Sequence, residues 1–233
     1  MNRTELFKIL KERNQNLHDS YYEIKKISNS DTIQFIKEDD SIRRRTSIRV
    51  YMYGKMLFAG GYSLIIKPLE QKFEPLVIPE LKGIYGDAFS MSFNKFYQTD
   101  YCFDITIETD DDWKTFLDEF DKCLKFYEAE IFPKLTDIKF LAEYVGSVPF
   151  SNQLEIVVGS SYPVNVFKKL AILKWGGQLE RYEEYKAGLL ERFEANLTNP
   201  TKAQMVPTYK NGYNKLINHL ENEPNPFGKK KIS

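Results

Sequence analysis

The sequence predicts an α+β fold: an antiparallel sheet meander of about five or six strands packed by helices, with a helical C-terminal part. Three observations lead there. Between Tyr22 and Ile107 the chain is written in short β-branched and aromatic runs separated by turn residues. After Glu108 the apolar spacing changes from every second residue to every third or fourth. Strands come first and helices afterwards, which is the α+β order and not the alternation of a doubly wound parallel sheet.

A first helix is expected over residues 3–17, where Leu6, Leu10 and Leu17 recur at near-helical spacing beside Phe7 and Ile9. Strands are expected in YYEIKKIS, TIQFIKE, TSIRVYMY, KMLFAGGYSLIIK, AFSMSFNKFY and YCFDITIE. Tyr53-Gly54-Lys55-Met56 reads as a tight hairpin, because glycine at the first central position suits a type II′ turn. Phe89, Met91, Phe93 and Tyr97 alternate with Ser90, Ser92 and Asn94. Tyr101, Phe103, Ile105 and Ile107 alternate with Asp104, Thr106 and Glu108. That period of two means one buried face and one wet face.

The clearest helix follows. Trp113, Phe116, Leu117, Phe120, Leu124, Tyr127 and Ile131 form one stripe, Thr109 or Asp110 caps its start, and Pro133 ends it. A shorter helix is expected at 136–145, with Ile138, Leu141 and Val145 inward. Residues 146–163 hold either a connection or one more strand, Leu154 to Val158. A helical hairpin comes next. Val164, Phe167, Leu170 and Ala171 face inward in its first helix, and Gly176 supplies a left-handed C-terminal cap. Tyr182, Tyr185, Leu189, Phe193 and Leu197 line its second helix. This pair has the outline of a tetratricopeptide unit, but it has no second copy and carries bulky Arg181 and Tyr182 where the second helix should be thin. A last helix is expected at 208–221 after Pro207, and EPNPFGKKKIS reads as a disordered tail. The domain reading is a sheet-plus-helix body over 1–150, a helical part over 151–222 packed on it as one compact unit, and the tail over 223–233.

Composition limits function. The 233 residues carry 33 basic and 33 acidic side chains, so no overall field draws the chain onto nucleic acid or an anionic membrane. No run approaches the roughly 18 apolar residues of a membrane span. The N-terminus lacks the apolar core of a signal peptide. The expected setting is therefore the cytoplasm, with neither membrane nor nucleic acid as partner. Cys102 and Cys123 are expected as buried thiols rather than a disulfide. His18 and His219 lie far apart without acidic or cysteine neighbours at ligand spacing, which argues against a zinc site or a histidine-based triad. Neither G-x-x-x-x-G-K-[ST] nor G-x-G-x-x-G occurs. Asp110-Asp111-Asp112 is better explained by capping and the helix dipole than by magnesium. No catalytic residue, metal or cofactor is assigned, and the chain leans away from enzyme activity.

Charge is nevertheless uneven. Residues 100–145 carry 13 acidic side chains against 5 basic ones. Asp118 with Lys122 and Asp121 with Lys125 compensate at i,i+4 spacing. Asp104, Glu108, Asp111, Asp112, Glu119 and Glu128 remain as candidates for meeting a basic protein partner. In SIRRRTSIRV an extended strand sets Arg43, Arg45 and Arg49 on one face, and Ile42, Arg44, Thr46, Ile48 and Val50 on the other. The three arginines are candidates for anion binding, or pair with Glu38, Asp39 and Asp40.

The succession of SIRVYMYGKMLFAGGYSLII, TIETDDDWKTFLDEFDKCLKFYEAEIFPKLTDIKFLAEYV and FKKLAILKWGGQLERYEEYKAGLLERF resembles, over residues 3–195, a bacterial family known only as a domain of unknown function, of the immunity type. The resemblance implies an α+β fold without known enzyme activity, and carries over no catalytic residue. The expectation is a non-enzymatic cytoplasmic protein that binds another protein, of the kind that masks a toxin. The alternative is a small-anion-binding protein, or an enzyme, working on the arginine-bearing sheet face. Oligomeric state is left open.

Overall fold

A computed structural model describes residues 3–16, 22–27, 32–51, 56–92 and 104–228. The protein is α+β. Its chain forms two compact units, one of residues 1–65 and 90–133, the other of 66–89 and 134–233. The division therefore does not fall near residue 150. The helix expected at 136–145 and the segment following the fourth strand both belong with the C-terminal helices.

The first unit opens with α1 (Arg3–Asn16), which buries Leu6 and Leu10. Its sheet is built from β1 (Glu23–Lys26), β2 (Thr32–Glu38), β3 (Ile42–Tyr51), β4 (Met56–Ile66), β5 (Phe89–Met91) and β6 (Asp104–Thr106). The spatial order is β1-β2-β3-β4-β5, and β6 pairs with β4. β1 runs antiparallel to β2 and β2 to β3, with Ile33 opposite Ile48 and Phe35 opposite Thr46. β6 is antiparallel to β4, with Ile105 opposite Leu57. Asp39 Oδ1 accepts from the backbone N–H groups of Ser41 and Ile42 at 2.9 and 2.8 Å, which folds β2 into β3. Gly61 has φ +119, and a Cβ there would stand 2.3 Å from the Met91 carbonyl oxygen, so only glycine fits.

Helix α3 (Asp110–Phe126) begins at a capping box in which Thr109 accepts from the Asp112 N–H and the Asp112 carboxylate accepts from the Thr109 N–H. Of the two expected caps, Thr109 is the one used. The helix buries Phe116, Leu117, Phe120, Cys123 and Leu124, and Phe120 meets Phe35 of the sheet at 5.2 Å between rings. It widens into a π turn over Tyr127–Ile131 before Pro133 stops it. Leu17, His18, the turn at Tyr53-Gly54-Lys55 and the alternating Phe93, Tyr97, Tyr101, Cys102 and Phe103 lie outside the described residues.

The second unit starts with an element absent from the sequence expectation, α2 (Lys67–Phe73), followed by single turns at Glu74–Leu76 and Pro79–Ile84. Pro68, Pro75 and Pro79 each sit in the first turn of one of these pieces, where the missing N–H costs nothing. Then come α4 (Ile138–Gly146), a 3₁₀ segment at Phe150–Glu155, α5 (Val164–Gly176), α6 (Leu179–Leu197), α7 (Pro200–Ala203) and α8 (Val206–Asn222). Of the two alternatives for 146–163, the connection is realised; Leu154 lies in that 3₁₀ segment and is 69% exposed.

α5 is the axis of this unit, with Val164, Val166, Phe167, Leu170, Ala171, Ile172, Leu173 and Trp175 all buried. The left-handed cap belongs to Gly177, at φ +82, and not to Gly176. Gly176 instead allows α5 to close on α4, since a Cβ there would stand 2.2 Å from the Ala142 Cβ. Leu197, expected on the inner stripe of α6, is 46% exposed where that helix ends. The expected disordered tail is corrected in part. Phe227 is buried against Trp175 at 5.3 Å, and Asn225 Nδ2 donates to the Trp175 carbonyl at 2.7 Å.

Candidate functional site

Arg43, Arg45 and Arg49 are not among the residues that line the described cavity. Arg43, Arg45 and Arg49 are exposed, as the strand alternation requires, and Arg43 pairs with Glu38 at 3.5 Å. Arg44, between them, turns inward and is 5% exposed. Its Nε and Nη2 donate to the two oxygens of Glu128 at 2.9 Å each, and Nη1 donates to Asp39 at 2.8 Å. Tyr22 also donates to Glu128, and Lys37 reaches it at 3.3 Å. Burial alone would raise the Glu128 pKa; the hydrogen bonds from Arg44 and Tyr22 outweigh it and hold the carboxyl below its usual value.

Glu128 is thus committed inside the first unit. Other acidic candidates are also engaged locally. Asp112 closes the capping box, and Glu119 pairs with Lys122 at 2.7 Å. Asp118 and Asp121 meet Arg13 of α1 at 2.7 and 2.6 Å, and Lys122 and Lys125, at the expected i,i+4 spacing, also act on them electrostatically. Asp104 lies in β6 opposite Phe58. Glu108 and Asp111 are exposed at the start of α3, next to the exposed Asp110.

A pocket forms elsewhere, within the second unit. It is a cavity of about 350 Å³ lined from five stretches of chain. Gln153 and Leu154 come from the 3₁₀ segment, Tyr162 and Asn165 from the entry to α5, and Arg192 and Asn196 from one face of α6. Thr201 and Lys202 come from α7, and Met205 and Tyr209 from the start of α8. Asn199 accepts from the N–H groups of Thr201 and Lys202 at 3.0 and 3.3 Å. That cap, with Pro200 behind it, breaks α6 from α7 and fixes where Lys202 stands.

Two of the ten lining residues are aromatic, and the charge is of one sign. Tyr162 and Tyr209 meet edge to face at 5.7 Å, both backed by the fully buried Phe193. The Arg192 guanidinium lies over the Tyr162 ring at 5.3 Å. Neither Arg192 nor Lys202 has an ion-pair partner among the described residues, and the ten lining residues include no carboxylate. The Tyr162 hydroxyl is buried without a hydrogen-bond partner; Asn196 approaches closely enough to favour its charged form slightly, but not in a geometry that satisfies it. Burial raises that phenol to about 12, against the pull of Arg192, so it stays protonated at neutral pH. The cavity thus brings together an orphaned donor, two cations without ion-pair partners among the described residues, and the side-chain amides of Gln153, Asn165 and Asn196.

Two buried lysines support this unit from within α5. Lys168 is wholly buried and donates to both oxygens of Glu70 at 2.9 and 2.8 Å and to the Gly86 carbonyl at 2.9 Å. Tyr85 donates to the same Glu70 at 2.6 Å. Lys169 donates to the Gln153 backbone oxygen and to Gln153 Oε1, the latter at 2.7 Å.

None of the pocket residues was singled out from sequence. Arg192 and Asn196 share a helix face by their i,i+4 spacing, and the lysine pair inside the apolar run VFKKLAIL is the one local sign of something unusual. No family model, no curated protein and no solved structure matches the chain.

Proposed function

We propose that the protein is a non-enzymatic binding protein whose ligand is a small organic anion seated in the pocket of the second unit. One observation carries this reading: Arg192 and Lys202 line a cavity, with Tyr162 and Tyr209, whose lining includes no carboxylate to neutralise them. The Tyr162 hydroxyl supplies a donor still lacking an acceptor. The lining contains no histidine, cysteine or carboxylate, and Tyr162 titrates too high to act as a base at neutral pH, which supports binding rather than turnover. The test is calorimetric titration with 2-naphthoate and with the uncharged 2-naphthylmethanol. Preference for the anion, lost in Arg192→Ala/Lys202→Ala, is expected. Equal binding of both compounds, or binding of neither, would overturn the reading.

A protein partner is the second reading, and a narrower surface now supports it. Glu108, Asp110 and Asp111 stand exposed at the start of α3 without ion pairs among the described residues. An immunity-type role would use that acidic helix end to cover a basic site on a toxin. Loss of such a partner on triple charge reversal, with the pocket variant still binding it, is the outcome this reading requires. The proposed compartment is the cytoplasm, which the free buried thiol of Cys123 supports; no described helix is long and apolar enough to cross a membrane.

A further inference from the structure

We propose that Lys169 tunes the anion affinity of this pocket: its buried ammonium acts through Gln153, and the bound anion becomes its counter-charge. The proposal rests on the anion-binding reading above. Lys169 and Lys168 are consecutive residues of α5, 1% and 0% exposed. Lys168 has a carboxylate, Glu70, held by both oxygens. Lys169 has none among the described residues; its partners there are the two carbonyl oxygens of Gln153. An ammonium withdrawn from water without an opposite charge is an unfavourable arrangement unless something supplies that charge.

Gln153 is placed to connect the two. It lines the cavity and is itself 1% exposed. An ammonium has only donors, so Gln153 must turn its oxygen to Lys169, which leaves the Nε2 hydrogens as its free end. Those hydrogens donate to no other described residue. Polarised by the ammonium at its oxygen, the amide becomes a stronger donor to an anion in the cavity. Around the pocket the charged groups are Arg192 and Lys202, and the titratable ones are Tyr162 and Tyr209. Lys168 is engaged by Glu70, and among the described residues no carboxylate is hydrogen-bonded to or ion-paired with Lys169. Burial alone pushes that amine down to about 8.

The sign follows from linkage. A bound anion favours the charged amine, so binding raises the Lys169 pKa and takes up protons near pH 8. Affinity is highest below that pH and falls as the free amine deprotonates. The probe is 2-naphthalenesulfonate, which does not titrate in this range, used with two amine buffers of different ionisation enthalpy. Wild type at pH 8 is expected to show proton uptake, and Lys169→Met none. At pH 7 the variant is expected to bind roughly threefold to tenfold more weakly, the scale of one partly screened charge. At pH 9.5 the two are expected to converge. Binding by wild type without proton uptake overturns this inference and leaves the pocket reading standing. Equal affinity of the folded variant at pH 7 does the same. Absence of any binding by wild type sinks the pocket reading, and this proposal with it.

Discussion

Replacing Glu70 by leucine strands a buried ammonium, and the surroundings of Lys168 set the size of the effect. In the intact protein burial lowers the Lys168 pKa, while the Glu70 charge and hydrogen bonds oppose the shift. Burial likewise raises the Glu70 carboxyl, against Lys168 and the Tyr85 hydroxyl. Both groups are displaced toward their neutral forms, so taking this pair out of water costs more than the mutual attraction returns. Without Glu70 the ammonium keeps the Gly86 carbonyl at 2.9 Å, the ring faces of Phe73 and Tyr85 at 5.5 and 5.2 Å, and the more distant charge of Asp87. Breaking a buried pair from one side costs about 3–5 kcal/mol. Removing both charges, as Glu70→Leu with Lys168→Met, should be neutral or stabilising by about 1–4 kcal/mol. The offset is the lost donor to Gly86, about 1 kcal/mol, since the half-buried Tyr85 hydroxyl can turn to water.

The assay is urea unfolding of the two single variants, the double variant and the parent, in a Trp113→Phe background so that Trp175 reports on the second unit. The pH dependence supplies an independent check. A lysine whose folded pKa is below its unfolded value of 10.5 binds fewer protons folded than unfolded between those two values. Stability therefore rises with pH through that window, by at most about 1.4 kcal/mol per pH unit. Glu70→Leu lowers the Lys168 pKa further, so its deficit against the parent should shrink between pH 7 and pH 9, and the double variant should show no such gain. A double variant as unstable as the sum of the singles would refute the reasoning. So would a Glu70→Leu deficit that does not change with pH.

Three further expectations concern packing and acid. Gly176→Ala places a methyl on Ala142 and should cost about 1–3 kcal/mol through overpacking, while Gly177→Ala meets no atom and should cost only the left-handed strain of about 1 kcal/mol; equal urea midpoints would contradict the assignment. Phe227→Ala should destabilise the second unit by up to about 3 kcal/mol and shift Trp175 emission to the red, and an unchanged spectrum would show that the tail does not cover that ring. The depressed Glu128 carboxyl contributes stability that is complete above its unfolded value of 4.5 and is lost as pH falls through the lower folded value. Glu128→Gln should therefore be less stable at neutral pH and respond less to acidification, as read by chemical unfolding across the acid range; parallel curves would rule this out.

What was legible in the sequence is what depends on neighbours along the chain. The α3 stripe and its N-terminal cap use residues within a few turns of one another; Thr109 is one of the two caps expected, and Phe116, Leu117, Phe120 and Leu124 are buried as expected while Trp113 is only half-buried. The β2 and β3 alternation is equally local and correctly sorts Arg43, Arg45 and Arg49 from Ile42, Arg44, Thr46 and Ile48. α2 was missed because KPLEQKF is short and its two buried apolar residues, Leu69 and Phe73, are too few to make a stripe. The cap was misplaced by one residue because Gly176 and Gly177 look alike in sequence. One is needed for a dihedral angle and the other for the approach of Ala142, and only the packing of α4 on α5 tells them apart.

The pocket was illegible for a different reason, which the two charge clusters make plain. Arg44 was assigned a face correctly, yet its role depends on Glu128, 84 residues away, and no spacing rule joins them. Strand alternation drew attention to the three arginines that remain outside, because exposure is readable from period two and partnership is not. Arg192 and Lys202 show the converse. Each looks like any surface cation on a helix, and what distinguishes them is the set of residues 153, 162 and 209 brought opposite by three separate turns. The adjacent lysines of α5 could have raised the question, since two ammonium groups inside an apolar helix each require an answer. For Lys168 the answer is Glu70, supplied by a helix that the sequence reading did not contain. For Lys169 the described residues supply a glutamine, and that glutamine forms part of a cavity edged by two more cations without ion-pair partners among the described residues. The same turn of α5 thus sets a lysine held by a carboxylate beside one held, among the described residues, by carbonyl oxygens, and this contrast is what the Lys169→Met titration reads.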